Sequence, residues 1–202
     1  IQEHKHMEKS LVLASGNPGK LNEFRHLLEP LGYHIEPQGE YDVSEADETG
    51  LTFLENALIK ARHACRISGR PALADDSGLA VDALDGVPGI HSARYAGEPK
   101  SDAANNRKLL EALADVPEGQ RTASYWCVLV WLRHAEDPVP RIVQTRWAGE
   151  ILAYPRGEGG FGYDSLFWVP ERGMSAAELS AGEKNQLSHR GRALRALLEQ
   201  VS

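Results

Sequence analysis

Three groups of residues in this 202-residue chain have types and spacing that could do chemistry. The first is SGNPGK, comprising Ser15, Gly16, Asn17, Pro18, Gly19 and Lys20. A glycine-bearing loop that feeds a helix offers backbone N–H groups and the positive end of the helix dipole to an anion. Lys20 adds a point charge, and Ser15 and Asn17 add polar contacts. The loop is not of the Walker A type, which requires glycine at position 14 and Ser or Thr at 21; here these are Ala14 and Leu21. The bare pattern fits either a phosphate loop or an ordinary βα turn with a solvated lysine.

The second group is acidic. Glu45, Asp47 and Glu48 lie in a loop, and Asp75 and Asp76 close an apolar stretch ahead of Ser77 and Gly78. Magnesium takes oxygen ligands, often one or two carboxylates plus substrate phosphates. Adjacent acids at the end of an apolar strand are costly unless paired or metal-bound. The same residues also fit solvated loop acids and an Asp-Ser-Gly turn. Lys60, downstream of the acidic loop, reads by itself as a surface lysine.

The third group is late in the chain. Four glycines fall within residues 157–162, followed by Tyr163 and Asp164, then Lys184, Ser188, His189 and Arg190. Glycines let a backbone approach a ligand closely. Phe161, inside that run, could stack on a planar base. The donors of His189 and Arg190, at a helix start, could read a base edge. A hairpin with a core phenylalanine and a helix-end His-Arg pair is the other reading.

Periodicity supplies the elements that must hold these groups. Residues 11–14 (LVLA) read as a buried strand, and Pro18 opens a helix that runs to about Leu31. Residues 33–36 suggest a second strand. Thr52 and Glu55 have capping-box spacing, and Leu54, Ala57, Leu58, Ala61 and Cys65 form an apolar stripe that stops at Gly69. Residues 72–75 and 79–84 read as two strands or one bent strand. Ser101 caps a helix to Ala114. Residues 125–132 and 141–147 alternate as antiparallel strands. Residues 165–169 form another strand, and 188–201 a last helix. Interspersed strands and helices predict a mixed α/β protein.

Composition narrows the class. Apolar residues make up 42% and charged residues 25%, which excludes disordered and collagen-like chains. The net charge of −7 argues against a general nucleic-acid surface, so an anionic substrate would need local cations or a metal. No stretch approaches a membrane span. Two scattered cysteines, Cys65 and Cys127, fit buried thiols in a reducing cytoplasm. Residues 1–6 (IQEHKH), ahead of Met7, carry no structural signal and read as an added remnant, leaving one domain over 7–202.

Six segments stand in one order: SGNPGK, ETGLTFLENALIKA (48–61), ADDSGLAVDAL (74–84), PGIHSARYAG (88–97), GGFGYDSLF (159–167) and EKNQLSHRGRAL (183–194). Each is weak alone; together they resemble the inosine/xanthosine triphosphate pyrophosphatase family over nearly all of residues 9–201. Ser15 stands where threonine is commoner, and Ser165 where proline is; neither change removes a group the site needs.

The resemblance implies an elongated mixed central sheet flanked by helices, with two lobes and a substrate cleft between them, in a cytoplasmic homodimer. It implies Mg²⁺-dependent hydrolysis of non-standard purine nucleoside triphosphates (ITP, dITP, XTP) to monophosphate and pyrophosphate, cleansing the nucleotide pool. Carried onto this chain, it gives the SGNPGK residues and Lys60 to the triphosphate, and Glu48 and Asp76 to magnesium. It makes Asp76 the proton acceptor and has Ser77 contact substrate. Phe161, Gly162, Tyr163, Asp164, Lys184, His189 and Arg190 would hold the base and its surroundings. No nucleic acid or membrane partner is expected. A relative acting on modified pyrimidine nucleotides is the alternative within the class, against which the late FGYD and SHR motifs speak. A non-catalytic nucleotide sensor is the alternative outside it, disfavoured because Glu48, Asp75 and Asp76 are all present.

Overall fold

The computed structural model describes residues 9–201; the boundary expected after residue 6 lies outside them. Seven strands form one mixed sheet in the order β2-β1-β3-β4-β5-β6-β7. They are β1 (Ser10–Leu13), β2 (His34–Pro37), β3 (Ala72–Val81), β4 (Thr122–Leu132), β5 (Arg141–Ile151), β6 (Phe167–Val169) and β7 (Met174–Ser175). β1 pairs in parallel with β2 and β3, whereas β6 pairs antiparallel with β5 and β7. The helices are α1 (Pro18–Leu28), α2 (Phe53–Ser68), α3 (Asp102–Ala112), α4 (Ala181–Leu187) and α5 (His189–Val201). None among the described residues is long and apolar enough to cross a membrane.

The chain divides into two compact units. The first comprises residues up to Asp76, Val128–Gln144 and the chain from Leu194 onward; the second comprises Ser77–Cys127 and Thr145–Ala193. In the first, Ala57, Ala61 and Ala64 of α2 are fully buried with Val12, Ala72, Ala74, Val128 and Val130. Small side chains at i, i+4 and i+7 give the helix a narrow face that packs closely. Lys60 lies three residues after Ala57 and four before Ala64, so the same face carries it inward. In the second unit, Leu79, Val81, Leu109, Tyr125, Trp147, Tyr163 and Phe167 form the core.

Several boundaries differ from the sequence reading. Residues 72–81 make one continuous strand, because the Ser77-Gly78 pair stays in extended pairing and does not turn. The α-helix of α1 stops at Leu28, and Pro30 sits in a 3₁₀ turn that ends at left-handed Gly32. The last helix starts at His189, and a separate seven-residue helix, α4, precedes it; extended Ser188 interrupts the helical path. Cys65 and Cys127 are buried and form no disulfide.

The capping box at α2 is formed as expected. Glu55 N–H donates to Thr52 Oγ1 at 3.1 Å, and Thr52 N–H donates to Glu55 Oε2 at 2.9 Å. Thr52→Ala should lower the unfolding free energy by about 1 kcal/mol, read from the urea midpoint at unchanged slope.

Candidate functional site

In the first unit, the site residues gather where β3 carries Asp75 and Asp76. Asp75 is fully buried, and its Oδ1 takes a 2.6 Å ion pair from Lys20 Nζ. Lys20 reaches it from the first turn of α1, whose start is set by Asn17. The Asn17 side chain accepts from the N–H groups of Gly19 and Lys20, and Asn17 N–H donates to Ser15 Oγ. The first-turn amides expected to face an anion are thus engaged by the cap, and the charge offered by this loop is the Lys20 ammonium. Pro18 stands at the first helical position, where it gives up no needed donor. A side chain at Gly16 would collide with the Glu45 carboxylate, which itself accepts from Gln38 Nε2 at 3.1 Å.

Lys60 binds three acceptors: Glu48 Oε1 at 2.9 Å, Asp76 Oδ1 at 3.0 Å and the Asp75 carbonyl at 2.7 Å. Its side chain is 12% exposed, which removes the surface-lysine reading. Burial works against its charge, but Asp76, Glu48 and Asp75 outweigh that cost and hold its pKa above the usual value. Asp76 shows the reverse balance. Burial pushes its pKa up to about 6 against the pull of Lys60, and the charges of Glu48 and Asp75 add to the rise. Its second oxygen, Oδ2, is buried and has no hydrogen-bond partner. A buried carboxylate poised near neutrality with one open oxygen can accept a proton or hold a cation. Asp47 is exposed in the loop before α2.

In the second unit, the late motif builds a turn around Asp164. Its Oδ2 accepts from Lys184 Nζ at 2.5 Å and from Phe161 N–H at 3.1 Å, and its Oδ1 accepts from the Tyr125 hydroxyl at 3.2 Å. Gly160 has φ +69°, and a side chain there would run into the Asp164 carboxylate, so the turn requires glycine. Gly162 is held by Asp102 Oδ2 on its N–H and by Asn106 Nδ2 on its carbonyl. Phe161 is 53% exposed, with Lys184 Nζ 4.5 Å and the Arg190 guanidinium 6.0 Å from its ring centroid. Tyr163 is committed to the core, and its hydroxyl donates to the Ser92 carbonyl at 2.6 Å.

His189 and Arg190 open α5 and are both buried. Arg190 Nη2 donates to Ser77 Oγ at 3.2 Å. The His189 ring lies nearly parallel to Tyr125, 4.8 Å between centroids and 9° apart, and to Trp147 at 6.3 Å and 16°. Tyr125, Trp147, Asp102 and Asn106 escaped the sequence reading. Tyr125 and Trp147 look like ordinary inward strand residues, and Asp102 and Asn106 like exposed helix positions. Only the count of four glycines hinted that the turn needed support.

The first cluster holds two lysines among three carboxylates, and the second an exposed aromatic residue beside two cations. The sequence pattern that defines the Ham1 family matches residues 11–200. A dITP/XTP pyrophosphatase of Idiomarina loihiensis is 58% identical over 199 residues, 96% of this chain and 98% of the relative. One from Xylella fastidiosa is 60% identical over 189 residues, covering 94% and 95%. The solved structure of a HAM1 protein from Coxiella burnetii superposes with a TM-score of 0.90 at 48% identity, covering 95% of this chain and 98% of that one. The chain belongs to the Ham1 family.

The Lys20–Asp75 pair is testable apart from any activity. Lys20→Ala strands a fully buried carboxylate and should lower stability by roughly 1.5–3 kcal/mol. Adding Asp75→Asn should return part of that loss. Chemical denaturation of the two variants checks both.

Proposed function

We propose that this protein hydrolyses non-standard purine nucleoside triphosphates to the monophosphate and pyrophosphate; its relatives in Idiomarina and Xylella are named dITP/XTP pyrophosphatases. The observation that carries the reading is the lysine-countered carboxylate group on β3, with a buried, unpartnered Asp76 oxygen. A triphosphate brings about four negative charges to a chain already at −7. Lys20 and Lys60, now neutralising carboxylates, are the local cations that can turn to it. Ser15 and Asn17 line the loop beside Lys20, with the Glu45 carboxylate against Gly16.

Among the described residues, no three or more His, Cys, Asp or Glu side chains converge as a self-sufficient metal cage. Glu48 and Asp76, with the open Asp76 oxygen, still fit a magnesium ion that completes its shell with water and substrate oxygens. We assign these two residues to hold it. When bound, Mg²⁺ would supply positive charge against the phosphates and polarise the bond under attack. Asp76 is also the residue to which we assign the proton of the attacking water, through the oxygen that has no protein partner. The bond cleaved lies between the α- and β-phosphates, and pyrophosphate leaves.

On the base side, Phe161 offers an exposed ring face, and His189 and Arg190 offer donors. Arg190 cannot accept a hydrogen bond. Hypoxanthine and xanthine carry an acceptor oxygen at C6, where adenine carries an amino donor. Donor against donor in a desolvated pocket can cost roughly 10⁴-fold in discrimination. Arg190 is held by Ser77 Oγ, which accepts from its Nη2 at 3.2 Å. Guanine shares the C6 oxygen, so its exclusion falls to its 2-amino group. We further propose a cytoplasmic homodimer without nucleic acid or membrane partners.

Asp76→Asn should reduce turnover at least about 10²-fold while nucleotide binding stays measurable; near-normal pyrophosphate release would remove Asp76 from the mechanism. ITP and XTP should be hydrolysed far faster than ATP and GTP. Arg190→Ala should narrow that gap more than it weakens the binding of free pyrophosphate. Equal kcat/KM for ATP and ITP in the unaltered protein would overturn the base-reading role.

A further inference from the structure

We propose that Tyr125 is the positioning residue of the base side: its ring sets the plane of His189, and its hydroxyl ties that plane to Asp164. The inference rests on the proposed base-reading role of His189 and extends it to a residue that touches no substrate.

Tyr125 sits on β4 and is 7% exposed. Its own ring is immobilised by Phe167, 4.6 Å away and tilted 46°, and by Trp147 at 6.1 Å and 24°. The imidazole of His189 lies against it at 4.8 Å and 9°. Thr145 Oγ1 donates to the His189 carbonyl at 2.5 Å, which holds the backbone from which that ring projects. A donor must meet its acceptor along a narrow range of directions, and the bond weakens steeply as it bends. A plane fixed by a neighbouring ring keeps the imidazole aimed, while a free side chain would have to be ordered anew with each substrate.

The hydroxyl makes the connection that ring packing alone does not need. It donates to Asp164 Oδ1, and the other oxygen of that carboxylate holds Lys184 and the backbone of Phe161. Burial, and then the Asp164 charge, keep Tyr125 protonated and therefore a donor throughout the working pH range. One side chain thus links the histidine plane to the turn that presents Phe161. Glu48, Asp76, Lys20 and Lys60 are not part of this arrangement, so its loss should fall on base selectivity and leave the bond-breaking step intact.

The test compares Tyr125→Phe and Tyr125→Leu in the full chain. The readouts are kcat and KM for ITP and ATP, the thermal midpoint, and the NMR shifts of the His189 ring protons. Tyr125→Leu should lower the ITP-to-ATP ratio of kcat/KM by roughly three- to tenfold, mainly through a higher KM for ITP. It should also cancel the ring-current displacement of the His189 protons. Tyr125→Phe should keep that displacement and lower the ratio by about twofold. A folded Tyr125→Leu protein with the unaltered ratio would overturn the proposal, and an unaltered ratio in Tyr125→Phe would overturn the part given to the hydroxyl. Should Tyr125→Leu fail to fold, Tyr125→Met, which also removes the ring, takes its place with the same expected loss, and an unaltered ratio in that folded variant overturns the proposal. Absence of any ITP preference in the unaltered protein would instead sink the base-reading role itself, a result distinct from either variant outcome.

Discussion

Two adjacent aspartates inside a β-strand are the constraint around which the first unit is arranged. A carboxylate taken out of water is costly unless a counter-charge meets it. Asp75 is fully buried and the Asp76 side chain is only 14% exposed, hence two lysines arrive from two helices. That requirement explains why α1 begins where it does, since Asn17 has to cap the helix in a place that sends Lys20 to Asp75. It also explains the alanine face of α2, which brings the stem of Lys60 close enough to touch Glu48, Asp76 and the Asp75 carbonyl together. A longer side chain at Ala57 or Ala64 would hold the helix, and Lys60 with it, further from the strand.

The same balance leaves the cluster incomplete. Three carboxylates face two ammonium groups, so the cluster keeps a negative excess, and one oxygen of Asp76 is left buried without a partner. A structure optimised for stability alone would have replaced these charges with apolar residues of similar volume. Their retention in a strand fits a group that is completed by something from outside, a cation or a proton in transit. The energetic cost falls locally, and the surrounding core of Val12, Ala72, Ala74, Val128 and Val130 supports it.

The second unit uses one carboxylate in the opposite way. Asp164 is saturated by Lys184, the Phe161 amide and the Tyr125 hydroxyl, and it serves as a rigid post for the glycine turn. Phe161 can remain half-exposed because the backbone beneath it is held from both sides. Asp102 and Asn106 fasten Gly162, and Gly160 adopts a left-handed conformation that leaves room for the carboxylate.

Much of this was legible before any coordinates. The capping box at Thr52, the breaks at Gly32 and Gly69 and the glycine turn follow from local rules, because caps, helix stops and left-handed glycines depend on neighbours a few positions away, whereas the roles expected of the candidate residues came with the family resemblance. The six ordered segments carried the family. What the sequence could not decide was whether Lys60 is solvated, whether Ser77 turns the chain or continues β3, and which acids meet which lysines. Those outcomes depend on burial and on partners up to 55 residues apart, as with Lys20 and Asp75. Tyr125 is the clearest case. In the sequence it is one inward residue of an alternating strand, and only tertiary packing, by laying it parallel to His189 and within reach of Asp164, distinguishes it from the rest of the core.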